Sequence, residues 1–324
     1  MANFQERIEY QGDLKLLLRQ VCKDYDFGDY LSHKVIPVGY EDLNVVLVTS
    51  KAKLFVKIFA KFRSQKDCLR YVGVMLEANK AGVSHPRIYK SKIGELYEAM
   101  MDGSIVRLCL MEFIEGKTFY DLRQLPTTEE LRFLAHQAAI INKLPIKPDP
   151  VYDSWAIVNL VKEFEEKQQY LSKKDSEVVT PVYKEFRKVN LDQLPHCFVH
   201  GDIIKTNVMR SNTGDLYILD FSVSNYYPRV QELAVLFCDL FFNEKYPTSF
   251  KKNYDRGLFE YQKDIQLTPE ELKIMPLYIQ AAHVMHIICA NYEREVNGNT
   301  SKENESWLNL GRIGLRYTVG YLND

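Results

Sequence analysis

Two polar segments constrain the fold of this chain more than any other feature: residues 200–207 (HGDIIKTN) and the triplet Asp220-Phe221-Ser222. A short stretch that is apolar or rich in β-prone residues precedes each of them, at 197–199 and at 216–219. Stretches of this kind predict β-strands. The pattern therefore predicts two loops that neighbouring strands hold side by side.

The polar side chains of these loops are suited to phosphoryl transfer. Asp202 can orient or accept the proton of an attacking hydroxyl. Asn207 and Asp220 offer an amide oxygen and a carboxylate that can share a divalent cation, and oxygen ligands suit Mg²⁺. Phosphoryl transfer from ATP depends mostly on such positioning and charge stabilisation. Each residue alone is compatible with an ordinary turn or cap, but their combination around two strands favours the catalytic interpretation.

Length and composition indicate a globular protein with two lobes. The chain has 324 residues, and single hydrophobic cores stop growing at about 250–300 residues. Hydrophobic residues make up 46% and charged residues 26%, which is typical of globular proteins. The formal charge of −1 provides no global field that would recruit nucleic acid or an anionic membrane. No stretch of the sequence approaches the roughly 20 apolar residues of a membrane span. We therefore predict neither a nucleic-acid nor a membrane partner.

The cysteines and the first residues favour a cytoplasmic location. Six cysteines are scattered along the chain, and no two have metal-ligand spacing, which predicts reduced and mostly buried thiols. The polar first residues do not look like a signal peptide. His283 and His286 lie three residues apart in an apolar helical run, without an accompanying set of cysteine or carboxylate ligands. A zinc site is therefore not predicted there.

The N-terminal part of the chain is predicted to be a small α+β lobe. An amphipathic helix at 13–23 precedes strand candidates at 35–38, 44–49 and 54–59. A capping box of Ser64 and Asp67 then opens a helix to about residue 80, and two more strand candidates follow at 94–100 and 105–113. This order predicts an antiparallel sheet with a helix.

The C-terminal part is predicted to be mainly helical. Thr127 and Glu130 form a capping box, a further helix is expected at 154–172, and the sequence Thr268-Pro269-Glu270-Glu271 is a strong helix start. A short hinge near 112–117 separates the two parts. We therefore predict one lobe at 1–114, including the N-terminal helix, and a larger lobe at 115–324.

The arrangement resembles the aminoglycoside phosphotransferase/choline kinase family of protein-kinase-like small-molecule kinases. The resemblance implies an ATP- and Mg²⁺-dependent kinase with Asp202 as catalytic base and Asn207 and Asp220 as Mg²⁺ ligands. It implies that residues 1–114 bind the nucleotide and that residues 115–324 carry the catalytic and acceptor-binding groups. The phosphoryl group would pass by direct in-line transfer to a hydroxyl of a small molecule.

Lys57 is similar to the strand lysine of the family, which implies that it holds the α- and β-phosphates of ATP. A lysine in so apolar a strand is costly to bury unless its ammonium meets an anion. The helix glutamate that pairs with this lysine in the family is expected near Val72 or Gly73, where no acid occurs. Asp67 and Glu77 lie about one turn to either side. We therefore expect the ion pair of Lys57 to be displaced or absent.

Residues 110–116 (LMEFIEG) are similar to the family hinge. This similarity implies that the carbonyl of Glu112 and the amide of Ile114 recognise adenine, and that Met111 lines the back of the pocket. Residues 39–44 stand where the family places its nucleotide-covering turn. The resemblance thus extends over most of the chain.

The acceptor is expected to be an amino-bearing small molecule, namely an amino alcohol, a hydroxy amino acid or an aminoglycoside. Residues 225–227 and 278–291 are candidate walls of its pocket. The protein itself is expected to be a monomer or a homodimer. These expectations rest on the resemblance more than on any single residue.

Two other functions stay open. The missing helix glutamate is compatible with a nucleotide-binding pseudokinase or regulatory module. A protein kinase is the second alternative, although the chain has no Ala-Pro-Glu-type segment and no long activation loop after Asp220.

Glu232 replaces the aspartate of the family element that braces the catalytic loop, and it retains the carboxylate.

Overall fold

The computed structural model describes residues 4–36 and 42–321. The chain forms two compact units: unit 1 comprises 1–116 with the segment 211–219, and unit 2 comprises 117–210 with 220–324. The predicted α+β organisation is confirmed, because an antiparallel sheet lies in the N-terminal part and the C-terminal part is mainly helical.

Unit 1 is built on a six-stranded antiparallel sheet. Strands β1 to β6 span Tyr30–Ile36, Leu43–Thr49, Lys53–Ile58, Ile88–Tyr89, Tyr97–Met101 and Ser104–Glu112. The order is β1-β2-β3-β6-β4, and β5 also pairs with β6. Alternate residues of β2 are buried, as expected for a strand with one face on the core. The predicted strands at 44–49, 54–59 and 105–113 are confirmed, whereas residues 37 and 38 of the first predicted strand lie outside the described residues.

Two helices complete the described part of unit 1. Helix α1 (Leu14–Asp24) shares one hydrophobic core with the sheet, and Asp13 caps it by accepting the backbone N–H of Lys15. Helix α2 (Gln65–Lys80) begins with the predicted capping box, in which Ser64 and Asp67 each accept the other's backbone N–H. Local side-chain chemistry thus determines where both helices start.

Unit 2 contains most of the helices. Helices α3 to α10 span Phe119–Leu122, Thr128–Asn142, Leu160–Lys167, Lys173–Phe186, Val230–Asp239, Phe250–Gln262, Pro269–Glu295 and Lys302–Tyr321. Strands β7 to β11 span Gly116–Thr118, His196–Val199, Val208–Ser211, Leu216–Ile218 and Asn225–Pro228, of which β10 belongs to the segment of unit 1. Strands β8 and β11 pair in antiparallel fashion. The capping boxes before α4 and α9 are confirmed.

Helix α9 forms the centre of unit 2 and packs against α6, α7 and α10. By length and composition alone, α9 is long and apolar enough to cross a membrane. This differs from the prediction that no stretch of the sequence approaches a membrane span. However, 72% of its most apolar 18 residues are buried within the protein. The apolar character of α9 is therefore that of a core helix.

The predicted helix at 154–172 is wrong at both ends, because α5 covers only Leu160–Lys167 and short 3₁₀ turns flank it. Asp153 accepts the backbone N–H of Trp155 at 2.9 Å, and the Asn159 amide donates to the carbonyl of Asp153 at 2.6 Å. Asp and Asn side chains compete in this way with the hydrogen bonds of a helix. The resulting turn fixes the position of Asp153.

Candidate active site

Asp202 and Asn207 are held together by the loop that follows β8, which we call the Asp202 loop (residues 200–207). The amide Nδ2 of Asn207 donates to carboxylate Oδ2 of Asp202 at 2.6 Å and to its main-chain carbonyl at 3.1 Å. Because the amide nitrogen faces Asp202, the amide oxygen is the atom through which Asn207 can bind a cation. The predicted pair is thus brought together by a local turn.

Asp220 adopts a left-handed backbone conformation with φ of 63°. Residues other than glycine rarely do so, although Asp and Asn are enriched among them. Its Oδ1 accepts the backbone N–H of Ser222 at 3.1 Å, which closes a tight turn. Such conformations cost of order 1–3 kcal/mol and cluster at functional sites. The turn holds the carboxylate of Asp220 close enough to Asp202 to influence its pKa.

The charges of three other carboxylates of unit 2 act on Asp202. Burial raises the pKa of Asp202 well above its usual range, and the charges of Asp153, Asp220 and Asp239 raise it further, whereas the hydrogen bond from Asn207 lowers it. Burial also raises the pKa of Asp153 to about 6. Neighbouring carboxylates disfavour each other's charged form. The cluster therefore favours the binding of positive charge.

Glu232 on α7 supports the Asp202 loop from the core. Its Oε2 accepts the backbone N–H groups of His200 at 2.5 Å and Gly201 at 3.4 Å. Gly201 has φ of 80°, a conformation that glycine adopts without strain. His200 is fully buried against the ring of Phe221, and its Nδ1 accepts the backbone N–H of Asp202. Glu232 and His200 thus hold the loop that carries Asp202.

Glu232 should make the stability of the protein depend on pH. Burial raises its pKa to about 7, so between about pH 4.5 and 7 the folded protein holds a proton that the unfolded chain has released. This contribution to stability is therefore lost as the pH rises through that interval. Glu232→Gln mimics the neutral acid and should remove this loss. We predict that the Tm of the wild type falls between about pH 5 and pH 8, and that this fall is smaller by several degrees in Glu232→Gln.

Differential scanning fluorimetry at both pH values measures this difference. Glu270→Gln, an exposed position in the first turn of α9, is the matched control and should behave like the wild type. An unchanged pH dependence of Tm in Glu232→Gln would show that this carboxyl does not carry a buried proton.

Asp239, at the end of α7, fixes the middle of the Asp202 loop. Its Oδ1 accepts the backbone N–H of Lys205 at 2.6 Å, and its Oδ2 lies 3.4 Å from the ammonium of the same lysine. Asp239 is fully buried, and burial raises its pKa. The Asp202 loop is therefore held at two points by one helix.

Aromatic rings accompany Asp153. Trp155 lies on the turn that Asp153 closes, and its ring centroid is 6.2 Å from that of His286. The indole of Trp307 lies on His286 with centroids 5.3 Å apart and an interplanar angle of 23°. Both tryptophans are partly exposed. A carboxylate beside exposed aromatic rings is suited to an ammonium group, through charge and cation–π attraction.

Of the two predicted pocket walls, only 278–291 contributes to this aromatic group, through His286. The side chain of Asn225, in the other segment, instead accepts the backbone N–H of Val151 at 3.1 Å and donates to its carbonyl at 2.8 Å. Asn225 is therefore engaged in holding the backbone near residue 151.

In unit 1, Lys57 is buried and its ammonium lies 3.6 Å from carboxylate Oδ2 of Asp42. The other oxygen of Asp42 accepts hydrogen bonds from the backbone N–H of Ala60 at 3.0 Å and from Nε of Arg63 at 2.9 Å. The lysine also lies over the ring of Tyr71 at 4.8 Å. The ion pair of Lys57 is thus displaced from α2 to the residue before β2. This carboxylate is the partner that the sequence could not identify.

Replacing Asp42 by Asn should destabilise unit 1 and weaken nucleotide binding together. The change removes the charge of Asp42 from its buried pair with the ammonium of Lys57, and removing one partner of a buried pair costs about 3–5 kcal/mol. We therefore predict a lower Tm and a higher Kd for ATP, measured by thermal unfolding and by titration calorimetry. Glu77→Gln is the control, because Glu77 is a partly exposed partner of Lys80 on α2. Equal effects of the two substitutions on ATP binding would contradict the role of Asp42.

The hinge residues lie at the end of strand β6. Met111 is buried, and the backbone N–H of Glu112 donates to the carbonyl of Arg87 at 2.8 Å. Ile114 follows the strand and is partly buried. Adenine recognition by these backbone groups stays a prediction, and residues 39–41 of the predicted nucleotide-covering turn lie outside the described residues.

The sequence analysis missed three acidic residues: Asp42 in unit 1, and Asp153 and Asp239 in unit 2. Asp42 stands two residues before the strand predicted at 44–49, whose partner strand carries Lys57, and the register pairs Asn44 with Lys57. Hairpin pairing of the two strands therefore contained the signal for Asp42. Asp153 stands directly before the helix predicted at 154–172, and no pattern in the sequence indicates that it would approach Asp202.

The chain is similar to known phosphotransferases and kinases. A model of the phosphotransferase enzyme family, APH, matches residues 32–267. The homoserine kinase of Parvibaculum lavamentivorans strain DS-1 is 22% identical over 275 residues, which cover 83% of each chain. The chain spans less than a third of several other curated relatives, such as the homoserine kinase of Rhodopseudomonas palustris strain HaA2, where 29% identity extends over 29% of that protein.

Solved structures show the same fold at low sequence identity. A microcompartment-associated aminopropanol kinase has a TM-score of 0.69 at 10% identity, covering 96% of this chain and 98% of that one. A spectinomycin phosphotransferase in complex with ADP and spectinomycin has a TM-score of 0.66 at 14% identity, covering 93% and 98%. The family match covers well over half of the chain, and it confirms the resemblance inferred from the sequence. The chain therefore belongs to the phosphotransferase enzyme family, APH, with a protein-kinase-like fold.

Proposed function

We propose that this protein is an ATP- and Mg²⁺-dependent kinase that phosphorylates a hydroxyl of an amino-bearing small molecule. The observation that carries the proposal is the cluster of Asp202, Asn207 and Asp220 in unit 2. Asp220 lies on a turn with a left-handed backbone, and Glu232 supports the Asp202 loop. Membership of a phosphotransferase family supports the reaction class. The kinase relatives and the ADP-bound spectinomycin phosphotransferase support ATP as the donor.

In this proposal Asp202 orients the acceptor hydroxyl and takes its proton as the oxygen attacks the γ-phosphorus in line. The amide oxygen of Asn207 and the carboxylate of Asp220 hold Mg²⁺, and both are the hard oxygen donors that this ion prefers. The bound ion would neutralise charge on the phosphates. Burial, and after it the neighbouring carboxylates, raise the pKa of Asp202, which makes it a stronger base than an exposed aspartate.

The nucleotide roles fall on unit 1. Lys57 is proposed to hold the α- and β-phosphates, with Asp42 keeping its ammonium in place. The carbonyl of Glu112 and the amide of Ile114 are proposed to bind adenine, with Met111 at the back of the pocket. The buried position of Met111 is compatible with that role.

Asp153 is the residue that we propose to recognise the amino group of the acceptor. It lies close enough to Asp202 to raise its pKa, and the turn that positions it also carries Trp155. An ammonium bound there would relieve the repulsion between the two carboxylates. The likeness to an aminopropanol kinase and to homoserine kinases is compatible with this acceptor class.

Asp153→Asn should lower kcat/KM for an amino-bearing acceptor by about 10²-fold, because losing one charge-assisted pair costs about 2–5 kcal/mol and each 1.4 kcal/mol is tenfold. Asn retains an oxygen that can accept the N–H of Trp155, so the turn should persist. ADP release is measured with paired acceptors, such as an amino alcohol and the same alcohol without its amine. KM for ATP should not change.

Asp255→Asn, at an exposed position of α8, is the matched control. If Asp153→Asn lowers kcat/KM equally for both members of a pair, Asp153 does not select the amine. If the wild type turns over no acceptor of the panel although it binds Mg·ATP tightly, a pseudokinase or regulatory module is the better description. Phosphorylated protein as the sole product would favour a protein kinase.

The pseudokinase alternative rested on the missing helix glutamate. The carboxylate of Asp42 beside Lys57 weakens that argument, because the lysine retains an acidic partner.

We further propose a cytoplasmic location, with which the six free cysteines are compatible. A monomer or a homodimer remains our expectation for its oligomeric state.

A further inference from the structure

Three buried side chains of unit 2 form a second cluster of potential ligands. Cys238 lies on α7, and His283 and His286 lie one turn apart on α9. One ligand atom from each, the cysteine sulfur and a ring nitrogen of each histidine, lies within 4.8 Å of the others. This finding corrects the sequence analysis, which found no cysteine to accompany the two histidines.

The two histidines are poorly satisfied as ordinary core residues. Within the described part of the chain, both ring nitrogens of His283 and Nδ1 of His286 lack a hydrogen-bond partner. A buried polar group left unpaired costs about 1–3 kcal/mol. Burial lowers the pKa of His283 well below its usual range and that of His286 to about 3, so both rings are neutral. Neutral imidazole is the form that binds metal ions.

The packing holds the ring of His283 in place. Its centroid is 5.3 Å from the ring of Phe242. On another side it lies against Gly314 of α10, where a Cβ atom would come within 2.0 Å of the imidazole. Glycine at this position therefore allows α10 to approach the ring closely. A side chain so restricted is a preorganised ligand.

We propose that Cys238, His283 and His286 bind one zinc ion. A thiolate with two imidazoles is a donor set that Zn²⁺ accepts and that Mg²⁺ or Ca²⁺ does not favour. Tetrahedral bonds of about 2.0–2.3 Å place such ligand atoms about 3.4–3.6 Å apart, so rotations of the Cys238 and His286 side chains that bring their ligand atoms about 1 Å closer to the fixed ring of His283 would close the site. The thiol, which now donates to the carbonyl of Val235 at 3.3 Å, would release its proton on binding.

The nearby positive charge of Lys205 is compensated. It lowers the pKa of both histidines, but its ammonium lies 3.4 Å from Asp239, the residue that follows Cys238. The same aspartate accepts the backbone N–H of Lys205. A zinc ion would therefore tie α7 to α9 beside the residue that anchors the Asp202 loop. This zinc would be distinct from the Mg²⁺ proposed at Asn207 and Asp220.

The experiment uses the full chain without an affinity tag, dialysed first against chelator and then against zinc. We expect one zinc per chain by elemental analysis, and the cobalt-substituted protein should show a cobalt–thiolate charge-transfer band in the near ultraviolet. Cys238→Ala and His283→Ala should each lose both signals. Cys68→Ala, which removes an equally buried cysteine of unit 1, should keep them. Zinc should raise the Tm of the wild type and of Cys68→Ala only.

The absence of zinc and of the cobalt band from the folded wild type would overturn the proposal. A cobalt–thiolate band that persists in Cys238→Ala would also overturn it, because another cysteine would then be the ligand. The measurements on the wild type decide the question even if a cluster variant does not fold. They need neither ATP nor Mg²⁺, so their outcome is independent of the proposed kinase reaction.

Discussion

Replacing Asp202 by Asn is expected to lower kcat by about 10³-fold, because loss of a general base typically removes 10²- to 10⁴-fold of the rate. The Kd for Mg·ATP should stay within about threefold of the wild-type value, since the proposed role of Asp202 concerns only the acceptor hydroxyl. The substitution is isosteric, and Asn207 can still bond to the new amide oxygen. Single-turnover kinetics and titration calorimetry measure the two effects separately.

The same substitution should not destabilise the protein. Asp202 is partly buried and the charges of Asp153, Asp220 and Asp239 act on it, so removing its own charge relieves repulsion. We therefore expect Tm at about pH 8 to be equal to or higher than that of the wild type. Asp192→Asn, at an exposed position before β8, is the matched control and should leave all three quantities unchanged. A loss of kcat accompanied by a lower Tm would point to damage to the fold rather than to a missing base.

Asp220→Asn is expected to remove the dependence of nucleotide binding on Mg²⁺. The substitution removes the negative charge of a proposed Mg²⁺ ligand. Asn, like Asp, tolerates the left-handed backbone that this position adopts at φ of 63°. We expect the Kd for ATP in saturating Mg²⁺ to rise about 10²-fold, which corresponds to about 2.7 kcal/mol. Without Mg²⁺ the variant and the wild type should bind ATP equally weakly, as calorimetric titrations with and without the ion can establish.

The two isosteric substitutions therefore separate the proposed roles. Asp202→Asn should lose transfer and keep Mg·ATP binding, whereas Asp220→Asn should lose both. Asp215→Asn, an exposed position in the turn before β10, controls for charge removal near this strand. Equal loss of Mg·ATP binding in the Asp202 and Asp220 variants would show that the roles have been wrongly divided.

Features that depend on short-range chemistry were predictable from the sequence. The helix starts at Ser64, Thr127 and Thr268 follow from capping boxes, in which residues three apart satisfy each other's backbone groups. Asp202 and Asn207 belong to one loop, so their contact followed from the local motif. The helix expected from Ser154 failed because side-chain bonds to the backbone outcompeted its first turns.

Contacts between distant segments were not predictable in the same way. The partner of Lys57 was sought on α2 by analogy, but strand pairing brings Asp42 to the lysine instead. Cys238 reaches His283 and His286 only because α7 packs on α9. Spacing within one segment of sequence contains no information on such contacts. These sites therefore emerged only once the packing was known.

The central claim is that this chain transfers the γ-phosphoryl group of ATP to a hydroxyl of an amino-bearing small molecule. The most direct test incubates the protein with γ-labelled ATP, Mg²⁺ and a panel of amino alcohols, hydroxy amino acids and aminoglycosides, and identifies the labelled product by mass spectrometry. We predict label on an acceptor oxygen with the wild type and no labelled acceptor with Asp202→Asn. Label released only as inorganic phosphate, or transfer that Asp202→Asn leaves intact, would contradict the account.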